Sequence, residues 1–401
     1  MKQEWKPDDM RANAEEIRSA VMPKSVTPEM VGGTLLGLVN AVGEVVEVLG
    51  EIPREHVRVR VRGCDGESEV SAAGATVWLD VFAVGGFPTH AFPRQELAAD
   101  ENGVVEFDVP HGYKYALFSQ IDGLGASFQL VFDATVEHRD VRLWNFPVGV
   151  WALGHTDLAN YDAYGDGTMI EKYTAVPWIT SNYMKNVPEE IATWAQETAE
   201  YPDYEGWWYV GVLVSTADTT FAIGQNNTTK EPIRWCDNYD YNTMFPLLDY
   251  YVSRHCDPYD WDEAVAHARS DMDGNMNTAK ILGFSPTHIA ARWAASSESE
   301  YDEQRFLPSA GQLYIMWLNR NAINEIMQEY MDDGQGNYNL LPYQDEKGAW
   351  TKPNGRNEWW WSSTVLGLNC SWVVYYDGLI TYYYRRDAYD VRAVSAFHFE
   401  Y

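Results

Sequence analysis

Positive charge is scarce in this chain. Against 59 aspartates and glutamates stand only 29 lysines and arginines, a formal charge of −30 over 401 residues. Nucleic-acid binders need basic stripes, and anionic lipid surfaces attract basic segments, so this balance excludes both partners. No apolar run is long enough to insert into a bilayer, and Met1-Lys2-Gln3-Glu4-Trp5-Lys6-Pro7 lacks the apolar stretch of a secretory signal. Four cysteines, at positions 64, 236, 256 and 370, are far apart without metal-ligand spacing, which points to synthesis in a reducing cytoplasm. There is no G-x-S-x-G, no P-loop and no G-x-G-x-x-G. Asp271-x-Asp273-Gly274-Asn275 resembles the start of a calcium loop, but Leu282 stands at the twelfth position, where an EF-hand needs a bidentate Glu. His111, His138, His155, His255, His267 and His288 form no spaced ligand set. His267, on an expected helix between Ala266 and Ala268, reads as buried or interfacial. No catalytic residue, metal or cofactor is expected.

A further absence is local. From Ser362 to Phe399 there is no Lys, Glu, Gln or Met, although all four are used freely upstream. Tyrosine, Asp, Val, Ser and Asn fill the stretch instead. Tyrosine offers large contact area for little lost rotamer entropy, and small polar residues offer adaptable hydrogen bonds, the composition of a paratope. Val373-Val374-Tyr375-Tyr376 and Leu379-Ile380-Thr381-Tyr382-Tyr383-Tyr384 are also good strand formers, with Asp377-Gly378 a hairpin signal between them. A plain hairpin closing a sheet accounts for the same pattern.

Upstream, three regions separate. In residues 1–53, Thr27-Pro28 opens a helix, and Val31, Leu35, Leu38, Val42, Val45, Leu49 and Ile52 repeat at alternating spacings of four and three up to Pro53. That is a heptad seam, expected to form a threefold bundle; a helix packed on its own domain is the alternative. From His56 the period becomes two. Val57-Arg58-Val59-Arg60-Val61-Arg62, then Thr76 to Phe82, Val104 to Val109, Tyr113 to Gln120, Phe128 to Phe132 and Val141 to Phe146 predict a β-sandwich over 54–148, a spacer resembling immunoglobulin-like or prealbumin-like domains. Residues 149–401 predict a mixed α+β domain. It has a hairpin at Trp207–Val214 and Thr220–Ile223, a helix at 261–270, and a second from Ser309 to about Met327 opened by a Ser309-x-x-Gln312 capping box. Pro342 to Gly355 reads as a loop, and 155–260 as a long insertion.

The order Trp361-Ser362-Ser363-Thr364, Trp372, Asp377-Gly378, Val391-Arg392-Ala393-Val394 resembles the variable proteins of diversity-generating retroelements. Asp271-Met272-Asp273-Gly274-Asn275-Met276-Asn277-Thr278 is similar to that family's D-x-x-G-x-x-N-T element. Phe306-Leu307-Pro308-Ser309-Ala310-Gly311-Gln312-Leu313 is similar to its W-x-L-P-S-x-x-E-L element, with Gln312 where Glu is usual. The resemblance covers about residues 271–401 and implies a C-type-lectin fold of the formylglycine-generating-enzyme type for the C-terminal domain. The whole is then multidomain: an N-terminal oligomerising helix, a β-sandwich spacer and a C-terminal α+β C-type-lectin fold.

The family rewrites template adenines at codons whose edited forms never give Lys, Glu, Gln, Met or Trp. The resemblance therefore implies a variable region at about 359–394. Its ligand-binding positions are Val365, Leu366, Leu368, Asn369, Val374, Tyr376, Tyr382, Tyr383, Tyr384, Asp387, Ala388 and Tyr389, on a scaffold of Trp361, Trp372, Gly378, Val391 and Arg392. It implies a phage receptor-binding, tail-fibre protein. Such a protein would be made in the host bacterial cytoplasm and carried on the virion, a homotrimer attached to other tail proteins by its N-terminus. Its ligand would be a host-surface protein or glycan. A structural virion decoration protein is the alternative. An oxidase of the same fold would need a cysteine pair near the C-terminus, where Cys370 stands alone.

Overall fold

The computed structural model describes residues 53–64, 69–84, 87–88, 94–134, 138–156, 176–180, 207–224, 228–229, 231–236, 261–284, 288–296, 303–330, 340–351, 359–366 and 370–397. The heptad segment, and most of the expected insertion, lie outside the described residues. The described chain is a β-rich, multidomain fold with few helices.

The first part contains β1 (Arg54–Cys64), β2 (Glu69–Val70), β3 (Thr76–Val84), β4 (Phe87–Pro88), β5 (Gln95–Ala98), β6 (Val104–Pro110), β7 (Tyr113–Gln120), β8 (Leu130–Asp133) and β9 (His138–Asn145). Strand β1 lies between antiparallel β6 and parallel β9, with β2 on its end; β3 and β7 centre the other sheet, with β4, β5 and β8 at its borders. The period-two pattern dictates which side chains go inside. Val57, Val59 and Val61 are buried with Val77, Leu79, Phe107, Tyr115 and Leu117, while Arg58 and Glu106 pair on the outer face. The Tyr115 hydroxyl donates to the Pro110 carbonyl, a bond of the kind that pins the corner of immunoglobulin-like sandwiches.

The second part carries β10 (Gly149–Thr156), β11 (Val176–Thr180), β12 (Trp207–Ser215), β13 (Thr220–Ile223) and β14 (Ile233–Arg234). Helices α1 (Trp261–Ser270), α2 (Gly274–Phe284) and α3 (Ile289–Ala295) follow, then β15 (Glu303–Phe306), α4 (Ala310–Leu318) and α5 (Arg320–Tyr330). The chain ends through β16 (Tyr343–Gln344), β17 (Trp350–Thr351), β18 (Trp359–Leu366), β19 (Cys370–Tyr375), β20 (Ile380–Tyr384), β21 (Ala388–Tyr389) and β22 (Val394–Phe397). A six-stranded sheet runs β11-β10-β12-β13-β22-β15, and β18-β19-β20 form a separate three-stranded sheet.

Several elements differ from the sequence reading. The single helix expected from Ser309 is two helices, broken at Asn319. Its amide side chain donates to the Ile315 carbonyl, while the Arg320 guanidinium donates to that of Trp317, satisfying carbonyls at the end of α4. The capping box itself is present in both directions. The loop expected after Pro342 contains the small β16–β17 hairpin. His267 is exposed, near Glu263 one turn back, because its helix rests on Ala268 instead.

The sandwich is fastened directly to the second part. Gln304 of β15 accepts from the Val131 amide at 2.8 Å and donates to the Val131 carbonyl at 2.6 Å. Gln129 donates to Asp273 and accepts from the Met276 amide, both at 3.1 Å, and the Asn275 side chain donates to the Gln129 carbonyl. Phe128 bridges Thr220 in parallel, and buried side chains from both parts belong to one continuous core.

Candidate functional site

The β18-β19-β20 sheet holds most of the variable positions named above, and its two faces bury different things. Even-numbered Trp360, Trp372, Val374 and Ile380 join the main core beneath α1 and α4. Odd-numbered Trp361, Val365 and Val373 join a second core with Trp235, Ile281, Leu307 and Val391. Strand alternation therefore assigns each residue of the hairpin to one face or the other.

The three sequence motifs meet in one buried network between these layers. The Asp271 carboxylate accepts from Thr364 Oγ1 at 2.6 Å and from Asn277 Nδ2 at 2.9 Å. Ser309 Oγ donates to the Asp271 carbonyl, and Thr364 Oγ1 accepts from the Ala310 amide at 2.8 Å. Gln312, holding the cap of α4, reaches Thr219 Oγ1 and the Met272 carbonyl through its amide nitrogen. A Cβ on Gly274 would overlap the Gln312 side chain, and one on Gly311 would overlap the Asp271 carbonyl, so both positions exclude larger residues. Burial and the nearby Asp273 raise Asp271 to about 6, while its hydrogen-bond donors pull the other way. Such a network holds backbone segments in register, and the side chains of Asp271, Asn277, Ser309, Gln312 and Thr364 are all buried. The calcium-like spacing is thus occupied by internal hydrogen bonds, and no cluster of possible metal ligands occurs among the described residues.

The expected scaffold residues are all fixed. Trp361 and Trp372 are fully buried, and Trp361 Nε1 donates to the Ile233 carbonyl. Ser362 Oγ donates to the Trp372 carbonyl, the Ser363 backbone N–H to that of Pro308 and Thr364 Oγ1 to Asp271, so the stretch ties β18 to three other segments through two hydroxyls and one backbone N–H. Val391 exchanges backbone and hydroxyl bonds with Thr229, and Arg392 is buried. Gly378 adopts φ +86° in the turn, with its N–H donating to the Tyr375 carbonyl, and a Cβ there would lie 2.5 Å from the Trp317 ring. The sequence reading missed Arg385. Its guanidinium is buried over Trp235 and its Nε donates to Ser371 Oγ. Next to Arg386 and Asp387 it reads in sequence as an ordinary charged residue of a turn, which gives no signal of burial.

The expected variable positions divide. Tyr382 and Tyr384 are exposed, at 42% and 50%, beside Trp261 of α1, whose ring touches both Trp372 and Tyr382. Ala388 is exposed; Leu366, Tyr376 and Asp387 are half-buried. Val365 and Val374 are buried, each in one of the two cores, so neither can meet a ligand from solvent. Tyr383 and Tyr389 are half-buried on the opposite face from Tyr382 and Tyr384, so the four tyrosines do not form one surface. Leu368 and Asn369 lie outside the described residues. On the Tyr383 face, Trp359 and Tyr375 pack at 3.9 Å between ring centres, a pair that the sequence did not single out.

No family model matches this chain, and no curated protein does. Among solved structures, a candidate carbohydrate binding protein from Pseudomonas aeruginosa is similar over 23% of this chain and 89% of its own, at 17% identity and a TM-score of 0.18. A minor pilin of Streptococcus agalactiae matches over 24% and 46%, at 16% identity and a TM-score of 0.17. Chlorocatechol 1,2-dioxygenase from Pseudomonas putida matches over 34% and 97%, at 10% identity and a TM-score of 0.18. Similarity this slight carries no functional weight.

Cys236 and Cys370 are free thiols, and burial pushes the Cys370 thiol up, keeping it protonated near neutrality. Burial, with Arg385 nearby, lowers His288 to about 4, so its ring is neutral against Trp235. Neither has the setting of an activated nucleophile or base.

Proposed function

We propose that this chain is a receptor-binding protein of a phage tail, diversified by a retroelement, which contacts a host-surface ligand through a C-type-lectin-like C-terminal domain. The reading is supported by one observation above others. The three motifs that carry the resemblance, far apart in sequence, are joined by Asp271, Ser309, Gln312 and Thr364 in a single buried network. The exposed Tyr382 and Tyr384 alternate with buried or half-buried neighbours on that supported sheet, an arrangement in which exposed side chains can change while the frame stays. The variable set is smaller than the sequence implied, since Val365 and Val374 belong to the frame. The heptad spacing from Val31 to Ile52, which lies outside the described residues, supports a homotrimer joined at the particle-proximal end.

DNA flanking the gene is the decisive test of diversification. A reverse-transcriptase gene and a near-identical repeat differing at adenines are expected there; their absence removes the retroelement. Binding is tested with Tyr382→Ala/Tyr384→Ala, which should lose adsorption to susceptible cells at an unchanged melting temperature. Full adsorption by this variant would favour the decoration reading. Light scattering of the intact chain should give a trimer mass, and a monomer would refute the bundle.

A further inference from the structure

Large hydrophobic side chains left in water are few among the described residues: Leu97, Val148, Trp261, Leu318, Leu379, Tyr382 and Tyr384. Five of these seven belong to α1, α4 and the β19–β20 hairpin, so the exposure is concentrated rather than scattered. These elements pack on one another, α1 against α4 and β20, and the Gly378 turn against Trp317 of α4. The rings of Trp261 and Tyr382 are 5.4 Å apart, and both lie against the buried Trp372. The opposite face of the sheet is different. Trp359, Tyr383 and Tyr389 there are half-buried and pack on the second core.

Charges of both signs border the exposed side chains. Asp262 and Glu263 open α1, and Asp377 stands in the turn, its carboxylate accepting from the Leu379 amide. Against them stand Arg269, Arg320 and Arg386, with guanidiniums over Tyr314, Trp317 and Tyr384 at 4.3, 4.6 and 5.1 Å. So mixed a border suits neither a polyanion nor a polycation; a protein surface, which carries both signs, complements it. Trp, Tyr and Arg are also the residues that dominate protein–protein hot spots. Leu318 and Leu379 decide against a sugar. An aliphatic side chain offers no hydrogen bond and no aromatic face, and gains only by meeting other apolar groups. A bilayer would cover them too, but a chain of charge −30 is repelled by anionic lipid.

We infer that the face made by α1, the end of α4 and the β19–β20 hairpin docks a host-surface protein rather than a glycan, with Trp261 a contact fixed outside the variable stretch. This rests on the C-terminal domain being the host-binding end, and it narrows the ligand class.

Susceptible cells serve as the probe, either untreated, shaved with a protease or oxidised with periodate. Adsorption of the intact chain should be lost on shaved cells and kept on periodate-treated ones. Trp261→Ala should weaken adsorption to untreated cells by about tenfold or more, as for an aromatic ring at the centre of an interface. Leu379→Asp should do the same, because docking would bury an unpaired charge. Leu379 is already 52% exposed, so this variant should melt as the wild type does, and it carries the test if Trp261→Ala melts lower. Leu97→Ala, on the sandwich, should leave adsorption unchanged. Adsorption kept on shaved cells, or lost on periodate-treated ones, would overturn the protein partner. So would a variant mass below that of the wild type in light scattering, since the face would then join copies of this chain. If Leu379→Asp adsorbs normally while Tyr382→Ala/Tyr384→Ala does not, this inference fails and the host-binding reading stands. If both adsorb normally, that reading fails as well.

Discussion

Neighbouring tyrosines on β20 face opposite ways, and this decides what substitution at each would cost. Tyr384 has half its surface in water and its ring meets Arg386; Trp372, across the sheet from Tyr382, has none exposed. Trp372→Ala should cost ~3–5 kcal/mol, whereas Tyr384→Ala should stay within ~0.5 kcal/mol, as read by denaturant melts of the two variants. Equal losses would contradict the division into frame and face. Asp271 makes a second prediction at this scale. Its folded pKa of about 6 lies above its ordinary 3.8, so the folded state holds the proton more tightly. The stability this gives is complete below about pH 4 and is lost as pH rises through about 6. The advantage of the wild type over Asp271→Asn should therefore shrink by ~1–3 kcal/mol between pH 4 and 7, and a gap independent of pH would show that the carboxyl is not desolvated in this way. Residues of this kind were partly legible. The tryptophans at 361 and 372 announced themselves as frame, but nothing local told that Val365 and Val374 would join them. Their burial depends on the register of β18 and β19, and that register shifts between Trp361 and Val365.

Among the elements, the ones with strong periodicity or punctuation could be read directly: Val57 to Arg62 as a strand, Ser309-x-x-Gln312 as a helix start, Asp377-Gly378 as a hairpin turn. The helices α2 and α3 were not, because Gly274 to Phe284 mixes small, polar and apolar residues around its whole circumference and is covered on several sides. The break at Asn319 was hidden for a different reason: apolar spacing continues through it from Leu313 to Ile326. The site was legible as a stretch but not as a surface, since Trp350 and Trp261 come from elements whose approach to the hairpin is tertiary. The hairpin turn itself is testable. Gly378→Ala meets both a positive φ and the Trp317 ring, and it should cost on the order of 1–3 kcal/mol in a thermal melt. A neutral result would mean that α4 can give way at Trp317, loosening the Trp317 Nε1 bond to the Tyr376 carbonyl as it does.

For the whole molecule, composition bears on partners through charge and says nothing of assembly. The charge of −30 leaves little room for binding through bulk attraction to anionic surfaces, so salt should weaken ligand binding only slightly. The sandwich, read from sequence as a spacer, shares a core with the domain after it. Calorimetry should accordingly give one transition for both. Gln304→Ala leaves the Val131 amide and carbonyl without that partner, at ~1–3 kcal/mol for each group left unsatisfied, and should split or lower this transition. Two independent transitions in the wild type would show the parts to be mere neighbours. The clamp at Gln129, Asn275 and Gln304 also sets the aim of the molecule. With the sandwich and the terminal sheet turning as one body, the aromatic faces hold a constant bearing relative to β1. Several copies on one mount would present their faces at fixed headings, as the prongs of a grapnel do, because the clamp leaves no swivel between the sandwich and the sheet that carries them.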